Sequence, residues 1–223
     1  MSLALITCGP ASEPIDAVRQ ITNFSTGELG VLLAEGLQKA GHAVVCYKGK
    51  KAVWPDPAGV KVEHFGANSD LLALLTRQAG VQQPAMIFHV AALADFRIAT
   101  ITDSQGLPLS AGKISSKLPE IHLRLVQAPK ILPVLHQLFP KSRIIAWKYE
   151  VEEGREEAVN KGRRQLTIPG VVASVINGPA YGSGFGLLTQ DGLSHYPDKS
   201  TLVLALGALA TVAAAAAPVA AED

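Results

Sequence analysis

The sequence predicts a three-layer α/β/α Rossmann-like domain with a mostly parallel mixed sheet and a C-terminal antiparallel hairpin. Apolar runs of strand length alternate with helical patterns along almost the whole chain. That alternation is the signature of a parallel sheet covered by helices on both faces. Two short runs near the end flank Asp191-Gly192, the dipeptide that best accommodates a tight hairpin turn. Hydrophobic residues make up 48% of the 223 positions and charged residues 17%. This supports a buried core and argues against disorder, and the length fits a single domain spanning 1–223.

The elements follow in order. Residues 3–8 are an apolar run and read as a buried strand. A long polar loop, 9–27, leads to a helix that starts near Glu28. There Leu29, Leu32, Leu33, Gly36, Leu37 and Ala40 recur at helical spacing, and Gly41 suits the position just past the end. Residues 43–47 and 60–65 are the next strands, and Ser69 is expected to cap a helix over 70–78. Residues 85–90 form a fully apolar strand. The stretch 99–118 is rich in Gly, Ser, Thr and Pro and reads as a mobile flap within the domain. Residues 121–126 alternate with period two, as a half-exposed or edge strand does. Residues 128–139 look helical, with Pro129 and Pro133 expected to kink the helix or split it. Residues 143–149 are a strand, 152–166 a charged helix and 171–176 the last long buried strand. The hairpin strands are 187–189 and 193–196. The C-terminal run is mostly alanine with Gly207 and Pro218 inside it. It reads as an amphipathic or buried helix rather than a membrane span, fraying after Pro218.

A formal net charge of +1 gives no electrostatic case for a nucleic-acid or membrane-surface partner. No signal-peptide pattern opens the chain. Cys8 and Cys46 each end an apolar run and read as buried thiols in a reducing compartment, consistent with a cytoplasmic protein. His64, His89, His122 and His195 lack metal-ligand spacing and read as structural, so no metal ligand is assigned.

Ligands of such sheets bind at the carboxyl ends of the strands. The loops after Cys8, Val90, Tyr149 and Ile176 therefore share one rim. The first loop lacks both the G-x-G-x-x-G fingerprint and a P-loop lysine. Ser25-Thr26-Gly27 at the helix start is its phosphate candidate, the alternative being a helix cap without a ligand. In the second loop, Ala91-Ala92-Leu93-Ala94 leaves room beside the backbone. Asp95 is placed there to orient a ribose, a base or a metal, or else to pair with Arg97. Lys113 and Lys117 sit on the flap, where a lysine closes over phosphates or simply stays solvated. Trp147 stacks on a base or packs in the core, with Lys148 beside it.

Together these segments resemble the phosphopantothenoylcysteine synthetase family, the phosphopantothenate–cysteine ligases of coenzyme A biosynthesis. The resemblance rests on Glu13-Pro14-Ile15-Asp16-x-Val18-Arg19-x-Ile21-x-Asn23-x-Ser25-x-Gly27, on Ala91-Ala92-x-Ala94-Asp95-Phe96-Arg97, and on Lys113-Ile114-Ser115-Ser116-Lys117. Gly184-Phe185 before the hairpin and Lys199 at the last helix also match. The resemblance implies a homodimer that uses Mg²⁺ and CTP or ATP, with a separate flavoprotein decarboxylase as a candidate partner. It implies that the carboxylate of 4′-phosphopantothenate is activated as an acyl-nucleotide and then attacked by the amine of cysteine. By the same resemblance Asn23 and Lys113 are catalytic. Gly9, Ser25, Thr26, Gly27, Ala92, Asp95, Trp147 and Lys148 hold the nucleotide. Arg19 reaches the substrate phosphate across a dimer interface, and Asn23 meets the acyl group. Lys113-Ile114-Ser115-Ser116 and Trp147-Lys148-Tyr149-Glu150 look more like the ATP-using members than the CTP-using ones, and the nucleotide stays open. The chain departs from the family at Ala11 and at Glu28, an acid that suits the helix dipole but repels phosphate. Those departures motivate a second reading, a paralogue that binds a nucleotide or phosphometabolite without ligating it. An NAD(P)-dependent reductase is a third reading, against which the missing glycine fingerprint weighs.

Overall fold

A computed structural model describes residues 2–109 and 112–215. In chain order the elements are β1 (Leu3–Cys8), β2 (Ser12–Pro14), β3 (Gln20–Thr22), α1 (Glu28–Lys39), β4 (Ala43–Gly49), β5 (Lys61–Phe65), α2 (Asn68–Ala79), β6 (Met86–His89), β7 (Phe96–Asp103), β8 (Ile121–Gln127), α3 (Leu132–Leu138), β9 (Arg143–Tyr149), α4 (Gly154–Gln165), β10 (Val171–Asn177), β11 (Phe185–Thr189), β12 (Gly192–Tyr196) and α5 (Lys199–Ala215).

Eight strands form one sheet in the order β12-β11-β10-β9-β6-β1-β4-β5. The six from β5 to β10 are parallel, and β11 and β12 return antiparallel. Taken alone, the parallel strands have the doubly wound order, with its crevice where the order reverses between β1 and β6. All six residues of β1 are buried, as a central strand covered on both faces requires.

Helices α1 and α5 cover one face. Val31, Leu33, Ala34 and Leu37 of α1 and Leu202, Leu206 and Ala210 of α5 pack with Ile6, Phe88 and Val175 of the sheet. Helices α2 and α3 cover the other, where Leu71, Leu75 and Leu135 meet Leu5, Ile87 and Ile144. Each such side chain contributes about 1.5–3 kcal/mol by burial. Helix α4 seals a smaller cluster around Ile176, Tyr181 and Leu188. Cys8 and Cys46 are free, buried thiols with their Sγ atoms 3.7 Å apart. The contact with Cys46 and then burial raise the Cys8 thiol well above its ordinary value.

The structure corrects four expectations. Ser69 does not cap α2, which begins at Asn68. Asp70 does part of that work from inside the first turn, accepting the N–H groups of Gly66 and Ala67 at 2.9 and 3.1 Å. Residues 128–131 precede α3 instead of belonging to it, so Pro133 lies in the first turn, where its missing N–H has no helical partner to lose. The stretch 99–118 is not loop from its start, because β7 continues to Asp103 and pairs with β8 in a separate two-stranded ribbon. Within loop 9–27, β2 and β3 form a second small ribbon that periodicity gave no sign of. The expected fraying after Pro218 lies outside the described residues. Among those residues no helix is long and apolar enough to cross a membrane.

Candidate functional site

A cavity of about 780 Å³ opens at the carboxyl ends of the parallel strands. Its floor is the junction of β1 and α1. Gly27, the residue that starts α1, adopts φ +80°, a conformation glycine reaches without strain, and has no side chain to offer the first turn. Thr26 Oγ1 accepts the Glu28 N–H at 3.2 Å, and the next amides of the first turn face the cavity, an arrangement that suits an anion. Gly30 lets the helix close down on the strand: a Cβ there would lie 2.2 Å from Cys8 Cβ. Ser25, Thr26, Gly27 and Gly9 all line this floor.

The second wall is the loop after β6. The Ala92 N–H donates to the Gly9 carbonyl and the Ala11 N–H to the Ala92 carbonyl, both at 3.0 Å. The strands thus stay zipped past their ends. Asn68 clamps the loop from below, accepting the Ala94 N–H at 3.1 Å and donating to the Ala94 carbonyl at 2.8 Å. Asn23 ties the first loop to the second, its Nδ2 donating to the Leu93 carbonyl at 2.7 Å. Ala92, Asn23 and Asp95 all face the cavity. Asp95 pairs with Lys130, correcting the expected partner Arg97.

The third wall comes from the ends of β9 and β10. Trp147 packs against the core, as one of its two readings had it, and also lines the cavity. Its buried indole Nε1 has no hydrogen-bond partner among the described residues. Lys148 also lines the cavity and pairs with Glu150 Oε1 at 2.6 Å. Burial pushes the Glu150 carboxyl up, but Lys148 and Lys161, at 2.8 Å from Oε2, together hold it below the usual range. Asn177 was missed from the sequence. It ends β10 on the cavity wall, and its buried Oδ1 is likewise unpartnered. A donor and an acceptor left open in one wall are groups for a polar ligand to satisfy. The available signal was a single polar residue terminating a buried apolar run on the ligand rim.

Lys199 completes the cavity from the start of α5 and pairs with Glu28. The acid at the cavity floor is thus offset by a cation. Ala11 is fully buried and held by its backbone, its carbonyl accepting Thr22 Oγ1 at 2.8 Å.

Two predicted residues lie outside the cavity lining, next to each other. Arg19 Nη2 donates to the Ile114 carbonyl at 2.5 Å and pairs with Asp16 Oδ2 at 3.0 Å. The Ile114 N–H donates to Asp16 Oδ2 at 3.1 Å. Hydrogen bonds from Val18, Ile114 and Arg19 hold the Asp16 carboxyl below the usual range against its burial. Lys113 is exposed beside the buried Ile114, so the segment carrying it is anchored to the loop carrying Arg19.

Each of the four histidines read as structural contacts a protein side chain. His89 meets Thr7 Oγ1 at 2.8 Å, and full burial pushes its imidazole down to about 4. His195 contacts the Tyr181 hydroxyl at 3.2 Å, while His64 and His122 sit on Asp56 and Glu120, each at 3.3 Å. Among the described residues no three His, Cys, Asp or Glu side chains cluster as metal ligands. Glu28 and Asp95 are carboxylates of the cavity lining. One or two carboxylates suit a hard divalent cation that arrives already bound to phosphates.

A family model described as the DNA/pantothenate metabolism flavoprotein C-terminal domain matches residues 2–214. The coenzyme A biosynthesis bifunctional protein CoaBC of Thermococcus kodakarensis is 30% identical over 182 residues, covering 80% of this chain and 42% of that protein. Its namesake in Escherichia coli K12 is 26% identical over 197 residues, covering 84% of this chain and 46% of that protein. The chain therefore spans less than half the length of these curated relatives. Two solved structures share the fold. The DNA/pantothenate metabolism flavoprotein of Streptococcus pneumoniae superposes with a TM-score of 0.82 at 24% identity, over 96% of this chain and 100% of that one. A Cab2 mutant in complex with phosphopantothenate-cysteine gives 0.71 at 15% identity, over 96% and 89%.

Proposed function

Starting from the fact that this chain belongs to the DNA/pantothenate metabolism flavoprotein C-terminal domain family, we propose that it is a nucleoside-triphosphate-dependent ligase that joins 4′-phosphopantothenate to cysteine in coenzyme A biosynthesis. One observation carries this reading: a single cavity gathers Gly9, Asn23, Ser25, Thr26, Gly27, Ala92, Asp95, Trp147 and Lys148, drawn from four separated segments. A carboxylate is a poor electrophile, so the chemistry needs a good leaving group. A carboxylate oxygen attacks the α-phosphorus of CTP or ATP, and the bond to pyrophosphate breaks. The cysteine amine then attacks the acyl carbon, loses a proton and expels the nucleoside monophosphate.

The chain's contribution is positioning and charge neutralisation. Ser25, Thr26 and the open amides after Gly27 hold phosphates. Trp147 and Asn177 offer a face and two polar atoms to a base. Asn23 and Ala92 meet the acyl group, while Lys113 and Arg19 act from the adjoining arm, the latter across a homodimer interface. A divalent cation, Mg²⁺, would be held by the phosphates together with Glu28 or Asp95 of the lining and would shield their charge. Lys113, in the segment that follows β7, reaches the phosphates as part of a flap. The protein works in the cytoplasm and receives its acid from a flavoprotein decarboxylase. Glu28 is offset by Lys199 and Ala11 is a packing residue, so neither supports a paralogue without ligase activity.

Pyrophosphate release is the test. It should require 4′-phosphopantothenate for the first step and yield the cysteine amide only when cysteine is added, with CTP and ATP run side by side. No release with either nucleotide would overturn the reading.

A further inference from the structure

Four charged side chains line the cavity: Glu28, Asp95, Lys148 and Lys199. Each already has an opposite charge beside it. Lys148 pairs with Glu150, Asp95 with Lys130, and Glu28 with Lys199. A polyphosphate entering here therefore finds no unpaired lysine among the lining residues and must displace one of these carboxylates. The three pairs differ in how firmly they are held. Glu150 is buried and also grips Lys161 at 2.8 Å, so Lys148 is locked. Lys130 lies outside the lining. Glu28 and Lys199 are both partly exposed, at 23% and 41% of their side chains, and among the described residues each has only the other as a charged partner. Such a pair is weak in water-exposed surroundings. It also bridges the first residues of two helices, α1 and α5, on the floor where the open amides point.

We infer that phosphate binding exchanges this pair: the Lys199 ammonium turns to the phosphate oxygens, and the freed Glu28 carboxylate takes the divalent cation that the phosphates carry. The inference rests on the nucleotide reading of the cavity and adds a conditional element to it. Without the cation, Glu28 stands as a like charge against the incoming anion. With it, Glu28 becomes an oxygen ligand of the kind Mg²⁺ accepts alongside phosphate. Glu28 thereby makes the site selective for metal-complexed over free oligophosphate.

The test is calorimetric titration of the intact chain with inorganic tripolyphosphate, in Mg²⁺ and in chelator. The forms compared are wild type, Glu28→Gln and Lys199→Met, each checked for an unchanged melting curve, with Glu28→Ser as the substitute if Glu28→Gln melts early. In chelator, Glu28→Gln should bind about tenfold more tightly than wild type, the scale of removing one like charge near an anion at a protein surface. Mg²⁺ should tighten wild type by a similar factor and leave Glu28→Gln nearly unchanged. Lys199→Met should bind more weakly than wild type in both conditions. A Glu28→Gln form that keeps the wild-type response to Mg²⁺, or a Lys199→Met form that binds like wild type, overturns the exchange alone. A wild type that binds neither tripolyphosphate, CTP nor ATP overturns the nucleotide reading and the exchange with it.

Discussion

Behind the cavity, Cys8, Leu33 and Ile145 are sealed from solvent in a core shared by the sheet, α1 and α5. The ribbons β2–β3 and β7–β8 are built differently. All three residues of β3 are exposed, every residue of β8 is exposed or half-buried, and Asp16, Arg19 and Ile114 hydrogen-bond the two arms together. The cavity wall is therefore held by packing, which is global. The arm is held by a few hydrogen bonds, which are local. Damage to the wall should reach the whole molecule, whereas damage to the arm should reach function or local order and leave the core intact.

The largest expected effect is on the wall. Gly30→Val drives a side chain into Cys8 and should cost about 3 kcal/mol of global stability, read as a lower urea midpoint. An unchanged midpoint would break the comparison at its strongest point.

Next comes the pH response of His89, also on the wall side. Its folded value is about 4 against an ordinary 6.5, so between those values the unfolded chain binds the extra proton. Stability should therefore fall as pH drops from about 6.5 to 4, by up to about 3 kcal/mol. His89→Gln should flatten that part of the pH profile. A profile of unchanged slope in this variant would remove His89 as the cause.

On the arm, Lys113→Ala should lower turnover about 100-fold, the scale of one lost charge-stabilising group, with the melting temperature unmoved. A clear drop in melting temperature would mean the arm is part of the global core after all. The smallest effect belongs to Asp16→Asn. It weakens hydrogen bonds to a charged acceptor by about 1 kcal/mol. That should appear as faster amide exchange at Ile114 while β1 exchanges as before. Faster exchange in β1 would merge the two regions.

The same division explains what could be read from the chain. The bounds of β1 and β9 were legible, as was the existence of the hairpin, because burial on both faces and a turn signal are local patterns; its two-residue turn is Gln190-Asp191, one place earlier than expected, and Gly192 opens β12 opposite Thr189. Topology then placed Gly9, Ser25, Ala92, Asp95 and Trp147 around one cavity without knowledge of any contact. The β2–β3 ribbon was not legible, since three-residue strands carry no period. The start of β7 was hidden by the Gly- and Ser-rich composition that follows it. The partner of Asp95 was misread because Lys130 is distant in sequence and meets it only through the fold. Glu28 looked like an obstacle for the same reason: the lysine that balances it lies 171 residues away.

That separation matters for how the protein is made. The chain emerges from the ribosome at roughly 5–20 residues per second, and the β1–α1 floor is complete long before Lys199 is synthesised. Until α5 has emerged and docked, Leu33 and Val175 lack their cover and the cavity floor lacks its second helix start. Nascent chains stopped short of α5 should therefore hold an unbalanced Glu28 in an open groove.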